Sequence, residues 1–323
     1  MRGIDNPKRR TRRAARRLPR RDAQAGIAIV LALWLTVLLT VLASGFAFSM
    51  RSEALATRNA VSLAQARTLA DGAVERGAFE LMRPRLPNAW TPDGVPHRYV
   101  DGNASITIVA VDESARVDVN AAPNALLKNL LMVVGGVEDA KADRLVDAIA
   151  DWRDPDDLKR PNGAEADDYR AAELKYVPAN APFETTGEVS RVLGMMPAIF
   201  ARIAPYITVY SRQPGIDPAT ASRTVLLALP NATPEAVDAF LEARAQALAS
   251  RLPVPPFPPA QAYMSGPIPV WRIRAEATMP DGVTFVREAV LRPSPDARRP
   301  LIALAWLEPS RSAAQPSLSP NAR

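Results

Sequence analysis

An uncharged apolar run of 22 residues extends from Ile27 to Phe48 and directly follows a strongly basic leader. At roughly 1.5 Å per residue, a helix of that length measures about 33 Å, enough to cross a hydrocarbon core of about 30 Å. The run is longer than the roughly 7–15 apolar residues of a cleaved signal peptide. We therefore predict a retained membrane span over residues 27–48. Removal as a signal peptide near Gly45-Phe46-Ala47 and a buried soluble helix are the alternatives.

The positive charge of the chain is concentrated in the leader. Residues 1–25 contain ten Arg or Lys and two Asp, a net charge of +8, whereas the whole chain carries +6. The remaining residues therefore net −2, and the high pI describes the leader rather than the folded body. A basic flank holds its side of a membrane span in the cytoplasm, so we expect everything after the span to lie outside the cytoplasm. A nucleic-acid interpretation of the pI would assign the charge to the wrong part of the chain.

Small apolar residues continue beyond the span with helical spacing. They recur at intervals of three, four and seven residues, which places them on one face of an α-helix. The positions are Ala56, Leu63, Ala66, Ala70, Ala73, Gly77 and Leu81. We predict one continuous helix from about Ile27 to Met82, roughly 84 Å long, whose second half packs closely on a globular head. A span followed by a separate soluble helix is the alternative.

Strand-forming runs lie at both ends of the remaining chain. Residues 105–111 and 116–119 flank a polar turn and predict a hairpin, and residues 270–278 and 283–291 predict another. Residues 301–307 predict a last strand. Because a mostly helical section lies between, we predict an α+β fold: a long N-terminal membrane or pilin-like helix and a small α/β head with a large all-α insertion. The predicted boundaries are 1–26 for the leader, 27–48 for the span, 49–121 for the amphipathic helix and first strands, 122–265 for the insertion, 266–309 for the last strands and 310–323 for a disordered tail.

The insertion contains two predicted helix–turn–helix units. We expect Asn120 and Asp217 to start the first helix of each unit, because Asn and Asp are favourable N-caps. The second helices are predicted at 137–149 and 233–244. Such pairs resemble the helix-hairpin-helix modules that grip DNA backbones, but carboxylates beside the turns repel phosphate. We therefore predict packing units and expect no nucleic acid. The carboxylates are Glu138, Asp139, Asp143, Glu235 and Asp238.

Seven carboxylates crowd the segment 151–168. They are Asp151, Asp154, Asp156, Asp157, Glu165, Asp167 and Asp168. Hard oxygen ligands at this density suit Ca²⁺, which accepts about six to eight oxygens in flexible geometry. An EF-hand is excluded, because Leu158 and Lys159 occupy positions that need an acid or amide and a Gly. From the residues alone, a metal site and a solvated acidic loop both remain open.

The sequence offers no catalytic constellation. Its only histidine, His97, follows a proline in a loop and has no evident Ser, Cys or metal partner. A Gly-rich phosphate loop, Gly-x-Ser-x-Gly and His-Glu-x-x-His are all missing from the sequence. The acidic segment has no basic or histidine partner at a defined spacing, as a carboxylate or two-metal hydrolase would need. We therefore predict a protein that is not an enzyme. With no Cys, it has no disulfide framework, and a bound ion is one alternative way to fix a loop.

The basic leader that ends in Gly26 before an apolar helix resembles that of type IV pilin-like proteins. In them a prepilin peptidase cuts after the Gly and methylates the new N-terminus, which here would be Ile27. The usual pilin has Glu at the fifth mature position, where this chain has Leu31. Protein K of type II secretion systems typically lacks that acid. Further segments are similar to the protein K family: 111–122, 151–157, 163–169 and 176–188.

The resemblance implies a minor pseudopilin with a single-pass helix in the inner membrane, a cytoplasmic N-terminus and a periplasmic head. It implies a tip complex with minor pseudopilins I and J, and further contacts with the prepilin peptidase, the inner-membrane secretion platform and membrane lipid. Leu31 would determine the tip position, because a subunit without the acid has less reason to follow another subunit's N-terminal amine. The alternative is a membrane-anchored periplasmic binding protein that handles DNA through its paired helical hairpins.

The resemblance also implies a structural Ca²⁺ in the helical insertion, since members of the family are understood to bind calcium there. The favoured ligands are Asp154, Asp156, Glu165 and Asp168. A returning loop through residues 161–163 can bring the two halves of the acidic segment together.

Overall fold

The computed structural model describes residues 22–83, 89–250 and 252–309, with side chains from Ile27 onward except at positions 258 and 259. Nearly all of the predicted leader and the whole predicted tail lie outside these residues. The chain divides into two compact units between Val61 and Ser62.

Helix α1 extends from Asp22 to Met82, and its part up to Val61 is the described part of the first unit. Every side chain from 27 to 61 is exposed, and residues 27–48 carry no charge. The helix is therefore long and apolar enough to cross a membrane. The predicted continuity from the span to Met82 is confirmed.

The second unit is built on an antiparallel sheet. The strands of the described residues are β1 (His97–Asp101), β2 (Ala104–Asp112), β3 (Val117–Asp118), β4 (Ile207–Thr208), β5 (Trp271–Thr278), β6 (Thr284–Pro293) and β7 (Leu301–Leu307). Five of them form one sheet in the order β1-β2-β5-β6-β7. The predicted hairpin of β5 and β6 and the predicted last strand, β7, are confirmed. A register shift between Val290 and Leu291 marks a bulge in the pairing of β6 with β7.

The second half of α1 packs on this sheet through small side chains. Ala66, Ala70 and Ala73 are at most 1% exposed, as the sequence pattern predicts. Leu63 was also predicted on this face, but it is 47% exposed. Ser62 lies toward the head instead, because its hydroxyl donates to Asp281 Oδ2 (2.5 Å).

At Gly77, helix α1 approaches the sheet closely. A Cβ atom at this position would lie 3.1 Å from a methyl carbon of Ile108 on β2 and 3.1 Å from one of Ile273 on β5. That separation is tighter than ordinary van der Waals contact between carbon atoms, so a side chain at position 77 would push the helix away from the sheet.

The predicted hairpin of residues 105–111 and 116–119 is wrong. β2 pairs with β1 and β5, whereas β3 pairs in parallel with β4 in a separate two-stranded sheet. The Asp112 carboxylate accepts hydrogen bonds from the Ser114 N–H (2.8 Å) and hydroxyl (2.6 Å), at the start of a 3-10 turn over Glu113–Ala115. Glu113 is fully buried and binds Arg272 of β5, so the chain leaves the sheet here instead of returning along β2.

The insertion between β3 and β5 has a hydrophobic core of its own. Its helices are α2 (Asn124–Val133), α3 (Asp139–Arg153), α4 (Ala166–Ala171), α5 (Pro197–Ile203), α6 (Arg223–Leu227) and α7 (Pro234–Ala249). The insertion is not wholly helical, since it also contains β4. Two helical hairpins, α2–α3 and α6–α7, are present as predicted.

The first helix of each hairpin begins later than predicted. Asn120 does not cap α2, because its side chain binds Phe183: Nδ2 donates to the carbonyl oxygen (2.9 Å) and Oδ1 accepts the N–H (2.8 Å). Helix α2 therefore begins at Asn124. Asp217 closes a turn with its own side chain, and Ser222 is the residue that caps α6.

The close approach at Gly77 predicts opposite effects for the same substitution at two glycines of α1. Gly77→Leu should lower the free energy of unfolding of the head by about 1–3 kcal/mol, because it overpacks the contact with Ile108 and Ile273. Gly72→Leu meets open space and should raise it by up to about 1 kcal/mol through helix propensity. Chemical denaturation of the detergent-solubilised full chain measures both. Equal effects at the two positions would contradict the packing at Gly77.

Candidate functional site

The acidic segment runs from the end of α3 to the start of α4 beside a cluster of aromatic rings. Trp152 stacks on Phe183 with 5.8 Å between ring centroids and lies 6.0 Å from Tyr169. Tyr176 meets Trp152 and Tyr169 edge-on. The Tyr169 hydroxyl accepts the N–H of Leu193 (2.9 Å). These contacts fix both ends of the segment to the core of the insertion.

Polar contacts also connect the segment to β3. Arg153 at the end of α3 donates to the carbonyl oxygens of Val119 and, at 3.4 Å, of Ala122. The buried Asp118 carboxylate accepts the Asn120 N–H (2.8 Å) and the Arg212 N–H (2.7 Å). Together with the Asn120 bonds to the Phe183 backbone, these contacts join three distant parts of the sequence into one unit.

Asp151 is the structural member of the acidic segment. It is fully buried, and its carboxylate accepts from the backbone N–H of Arg160 (3.3 and 3.4 Å) and from Arg160 Nη1 (2.9 Å). A Cβ atom at Gly163 would lie 1.8 Å from Asp151 Oδ2. Position 163 therefore requires a residue without a side chain, and Asp151 acts as the anchor around which the loop folds.

Four buried side-chain oxygens at this segment have no hydrogen-bond partner: Asp154 Oδ1, both carboxylate oxygens of Glu165, and Asn180 Oδ1. The other halves of two of these groups are engaged. Asp154 Oδ2 accepts from Arg160, and Asn180 Nδ2 donates to Asp157 Oδ1 (2.7 Å). Leaving a buried polar atom unpaired costs about 1–3 kcal/mol. Carboxylate and amide oxygens in this state fit a hard cation such as Ca²⁺.

Burial and neighbouring carboxylates raise the pKa of Glu165 to about 7. The contributing carboxylates are Asp151, Asp154, Asp157 and Asp156. The N–H of Asp168, which could have paired with the Glu165 side chain, donates to the Glu165 carbonyl oxygen (2.9 Å). Glu165 is therefore only partly ionised near neutral pH, and a nearby cation would favour its ionised form.

The structure divides the four predicted calcium ligands into two pairs. Asp154 and Glu165 carry the unpaired oxygens. Asp156 is exposed and accepts a backbone N–H two residues on (2.9 Å), and Asp168 accepts from Lys159 Nζ (2.6 Å) and from the Glu165 N–H (2.9 Å). In the described residues, no group of three or more Asp, Glu or His side chains is already arranged to hold a metal ion. The ligand assignment thus stays a prediction.

Asn180 was not among the predicted ligands, although it carries one of the unpaired oxygens. Its backbone lies in the left-handed region (φ 46°), where Asn is tolerated far better than most residues. The sequence signal was an Asn immediately before Ala181-Pro182 in a loop. That signal indicates a turn, and only the structure shows that the turn places the amide beside Asp157.

The residues predicted for processing and tip position lie on α1. Gly26 and Ile27 are in its first turns, and the side chains of Ile27 and Leu31 are 69% and 66% exposed. Their roles in cleavage and assembly stay predictions.

His97 stacks on Trp90 with 3.7 Å between ring centroids, and burial lowers the pKa of His97 more than Asp93 and Glu80 raise it.

Comparison with known proteins identifies the domain that holds the acidic segment. The family model described as "Type II secretion system (T2SS), protein K" matches residues 106–212. Residues 106–212 are therefore similar to the protein K domain of type II secretion systems. The matched residues include most of β2, strands β3 and β4, helices α2 to α5, and every residue with an unpaired oxygen at the acidic segment.

Curated relatives named Type II secretion system protein K share further similarity. The protein from Klebsiella pneumoniae is 31% identical over 158 residues, which are 44% of this chain and 47% of that one. The protein from Aeromonas hydrophila is 40% identical over 84 residues, 26% of this chain and 24% of that one. The protein from Dickeya chrysanthemi is 37% identical over 79 residues, 24% and 21% of the two chains. The matches thus span between about a fifth and a half of these relatives.

A solved structure resembles a larger part of the chain. It is the crystal structure of the GspK-GspI-GspJ complex from enterotoxigenic Escherichia coli, and the similar chain matches with a TM-score of 0.56 at 16% sequence identity. The similarity covers 81% of this chain and 99% of that one. At this identity the likeness supports the fold: a long N-terminal helix followed by a head of mixed sheet and helices.

Proposed function

We propose that this protein is the minor pseudopilin K of a type II secretion system, which caps the tip of the pseudopilus and helps to initiate its assembly. The observation that carries the proposal is the protein K domain at residues 106–212. The tip complex would contain minor pseudopilins I and J, the proteins named with protein K in the similar solved complex. Its task would be the export of folded proteins across the outer membrane, a structural and not an enzymatic role.

The N-terminal helix supports the proposed membrane arrangement. Its apolar half is long enough to span the inner membrane, and the basic leader would keep the N-terminus in the cytoplasm and the head in the periplasm. Membrane lipid would surround the helix before assembly. In the assembled pseudopilus the same apolar surface would pack against other pseudopilins on the inner-membrane platform.

Two positions on this helix would determine where the chain is cleaved and where the subunit lies in the pseudopilus. Prepilin peptidase would cut between Gly26 and Ile27 and methylate the new N-terminus. Leu31 is uncharged, so it offers no counterion for the N-terminal amine of a preceding subunit. Without that ion pair in a low-dielectric helix bundle, a place at the tip, where no subunit precedes, is favoured.

A calcium ion would stabilise the acidic segment. Asp154 and Glu165 fit as ligands through their unpaired buried oxygens, and Asn180, which binds Asp157, carries a further unpaired oxygen; Asp156 and Asp168, predicted from the sequence, would first have to leave their present partners. When bound, Ca²⁺ supplies positive charge that compensates the carboxylates. Arg160 would hold Asp154 by Oδ2 and leave Oδ1 for the ion.

The processing prediction concerns the mature N-terminus. With its prepilin peptidase, the membrane-extracted protein should begin at Ile27 and carry one extra methyl group, and without the peptidase it should retain the leader. Intact-mass and N-terminal analysis measures both. A start near Phe48, or an uncut chain in both strains, would remove the pseudopilin assignment.

The tip prediction concerns Leu31. In cells that make I and J, the wild-type chain and the matched control Leu31→Ile should co-purify with both proteins and remain nearly absent from sheared fibres. Leu31→Glu should appear along the fibres, because the new carboxylate can pair with a preceding amine. Quantitative immunoblotting of both fractions measures this.

Failure of the wild-type chain to co-purify with I and J would overturn the tip proposal. DNA binding that survives physiological salt would favour the alternative function.

The calcium prediction uses Glu165 as a reporter. The pKa of Glu165 in the folded protein, about 7, lies above its ordinary value of 4.5. In the presence of a chelator, the contribution of Glu165 to the free energy of unfolding should therefore be complete below about pH 4.5 and should be lost as the pH rises to about 7. Calcium should reverse that loss and add about 2.7 kcal/mol at 100 times its Kd. Glu165→Gln should abolish both effects, whereas Asp167→Asn, at an exposed carboxylate that pairs with Arg170, should keep them. Thermal unfolding of the full chain measures this; equal calcium responses in the two variants would refute the site.

A further inference from the structure

The two edges of the five-stranded sheet differ in how they are protected. An open strand edge exposes unpaired N–H and C=O groups, and charged residues usually keep other strands from pairing with it. The edge strand β1 has the sequence His-Arg-Tyr-Val-Asp and carries an Arg and an Asp. The opposite edge strand, β7, has the sequence Leu-Ile-Ala-Leu-Ala-Trp-Leu and carries no charge and no proline. Of the two edges that the described residues form, only the one at β7 therefore lacks charged residues.

Apolar surface accompanies this edge on both faces of the sheet. Trp306 pairs with Ala289, which belongs to the core under α1, and Leu307 pairs with Glu288 on the opposite face. The exposed fractions are 40% for Trp306, 45% for Leu307 and 37% for Ile302. A partner that covered one face of the sheet would leave part of this surface in water. An added strand would cover both sides and satisfy the backbone groups as well.

The charges at the two ends of β7 indicate what the added strand must carry. Before β7, Arg298 and Arg299 are exposed, and neither forms an ion pair with another described residue. After β7, Glu308 is already bound by Arg67 (2.8 Å) and by Arg287 (3.2 Å). One end of the edge is thus neutralised and the other is basic, so a carboxylate on the partner is favoured at the basic end.

The same charges disfavour a second copy of this chain as the partner. Antiparallel self-pairing would place Arg298 and Arg299 of each copy beside a Glu308 that two arginines already hold. Parallel self-pairing would place the arginines of the two copies beside each other. In either arrangement the interface between the two copies would carry a net positive charge, and like charges across an interface are destabilising.

We propose that the outer edge of β7 pairs with an extended strand of another pilin-like subunit, a strand that is apolar along its length and carries a carboxylate where it meets Arg298 and Arg299. The identity of this partner as minor pseudopilin I or J rests on the proposed function. The strand-addition mode rests on the open, uncharged edge.

Site-specific photocrosslinking of the full-length chain tests the proposal. The chain, produced with I and J, carries p-benzoylphenylalanine at Ile302 on β7 or, as the matched control, at Val100 on β1, which is 71% exposed. Irradiation should give an adduct with I or J from position 302 and none from position 100. Mass spectrometry of the adduct should locate the link in an apolar strand with a nearby carboxylate.

The outcomes separate the edge from the proposed function. If I and J co-purify but position 302 gives no adduct with them, the edge proposal is wrong and the proposed function stands. An adduct of twice the mass of this chain would show a second copy on the edge and likewise overturn it. If neither I nor J co-purifies, the proposed function fails and this inference fails with it.

A charge-reversal variant supplies a second measurement. Arg298→Glu with Arg299→Glu should lower the yield of the adduct from position 302 about tenfold, the change that about 1.4 kcal/mol produces. The control Arg191→Glu, at an exposed arginine of the helical insertion, should leave the yield unchanged. Equal yields in the two variants would refute the carboxylate partner of Arg298 and Arg299.

Discussion

A buried ionic cluster joins the helical insertion to the sheet, and the arrangement of the head depends on it. Arg272 of β5 binds Glu113 at 2.6 Å and Glu288 of β6 at 2.6 Å, and Thr208 of β4 donates to Glu113. Burial raises the pKa of Glu113, but the guanidinium groups of Arg272 and Arg116 outweigh that effect and hold the pKa below its ordinary value. Removing one partner from such a pair leaves a buried charge and costs about 3–5 kcal/mol.

The same cluster explains the path of the chain into the candidate site. Because Glu113 must reach Arg272, the chain turns away from the sheet at Asp112, and β3 pairs with β4 instead of with β2. This places Asn120 directly after β3, where it binds the backbone of Phe183, and Phe183 stacks on Trp152 at the end of α3. The acidic segment thus takes its position from a contact at the sheet.

Sequence patterns predicted the parts of this fold that depend on local periodicity. The continuous helix, the β5–β6 hairpin and β7 were predicted correctly, because spacing and turn residues are contained within each segment. The pairing of Val117 with Ile207 could not be predicted, since each strand has two residues and the partners lie far apart in sequence. The helix starts predicted at Asn120 and Asp217 were too early, because a side chain that can cap a helix can also bind elsewhere.

The candidate site shows the same limit on a finer scale, because the partner of each oxygen decides what a carboxylate can do. The composition of residues 151–168 shows seven acidic residues but does not indicate which of them have oxygens available for a cation. In the structure, Asp151 and Asp168 are occupied by basic side chains and backbone N–H groups, whereas Glu165 is buried with both oxygens unpaired. Asp154 is divided, with Oδ2 on Arg160 and Oδ1 unpaired. A single arginine therefore both neutralises part of the acidic segment and orients the oxygen that remains for a cation, a distinction that belongs to atoms and not to residue types.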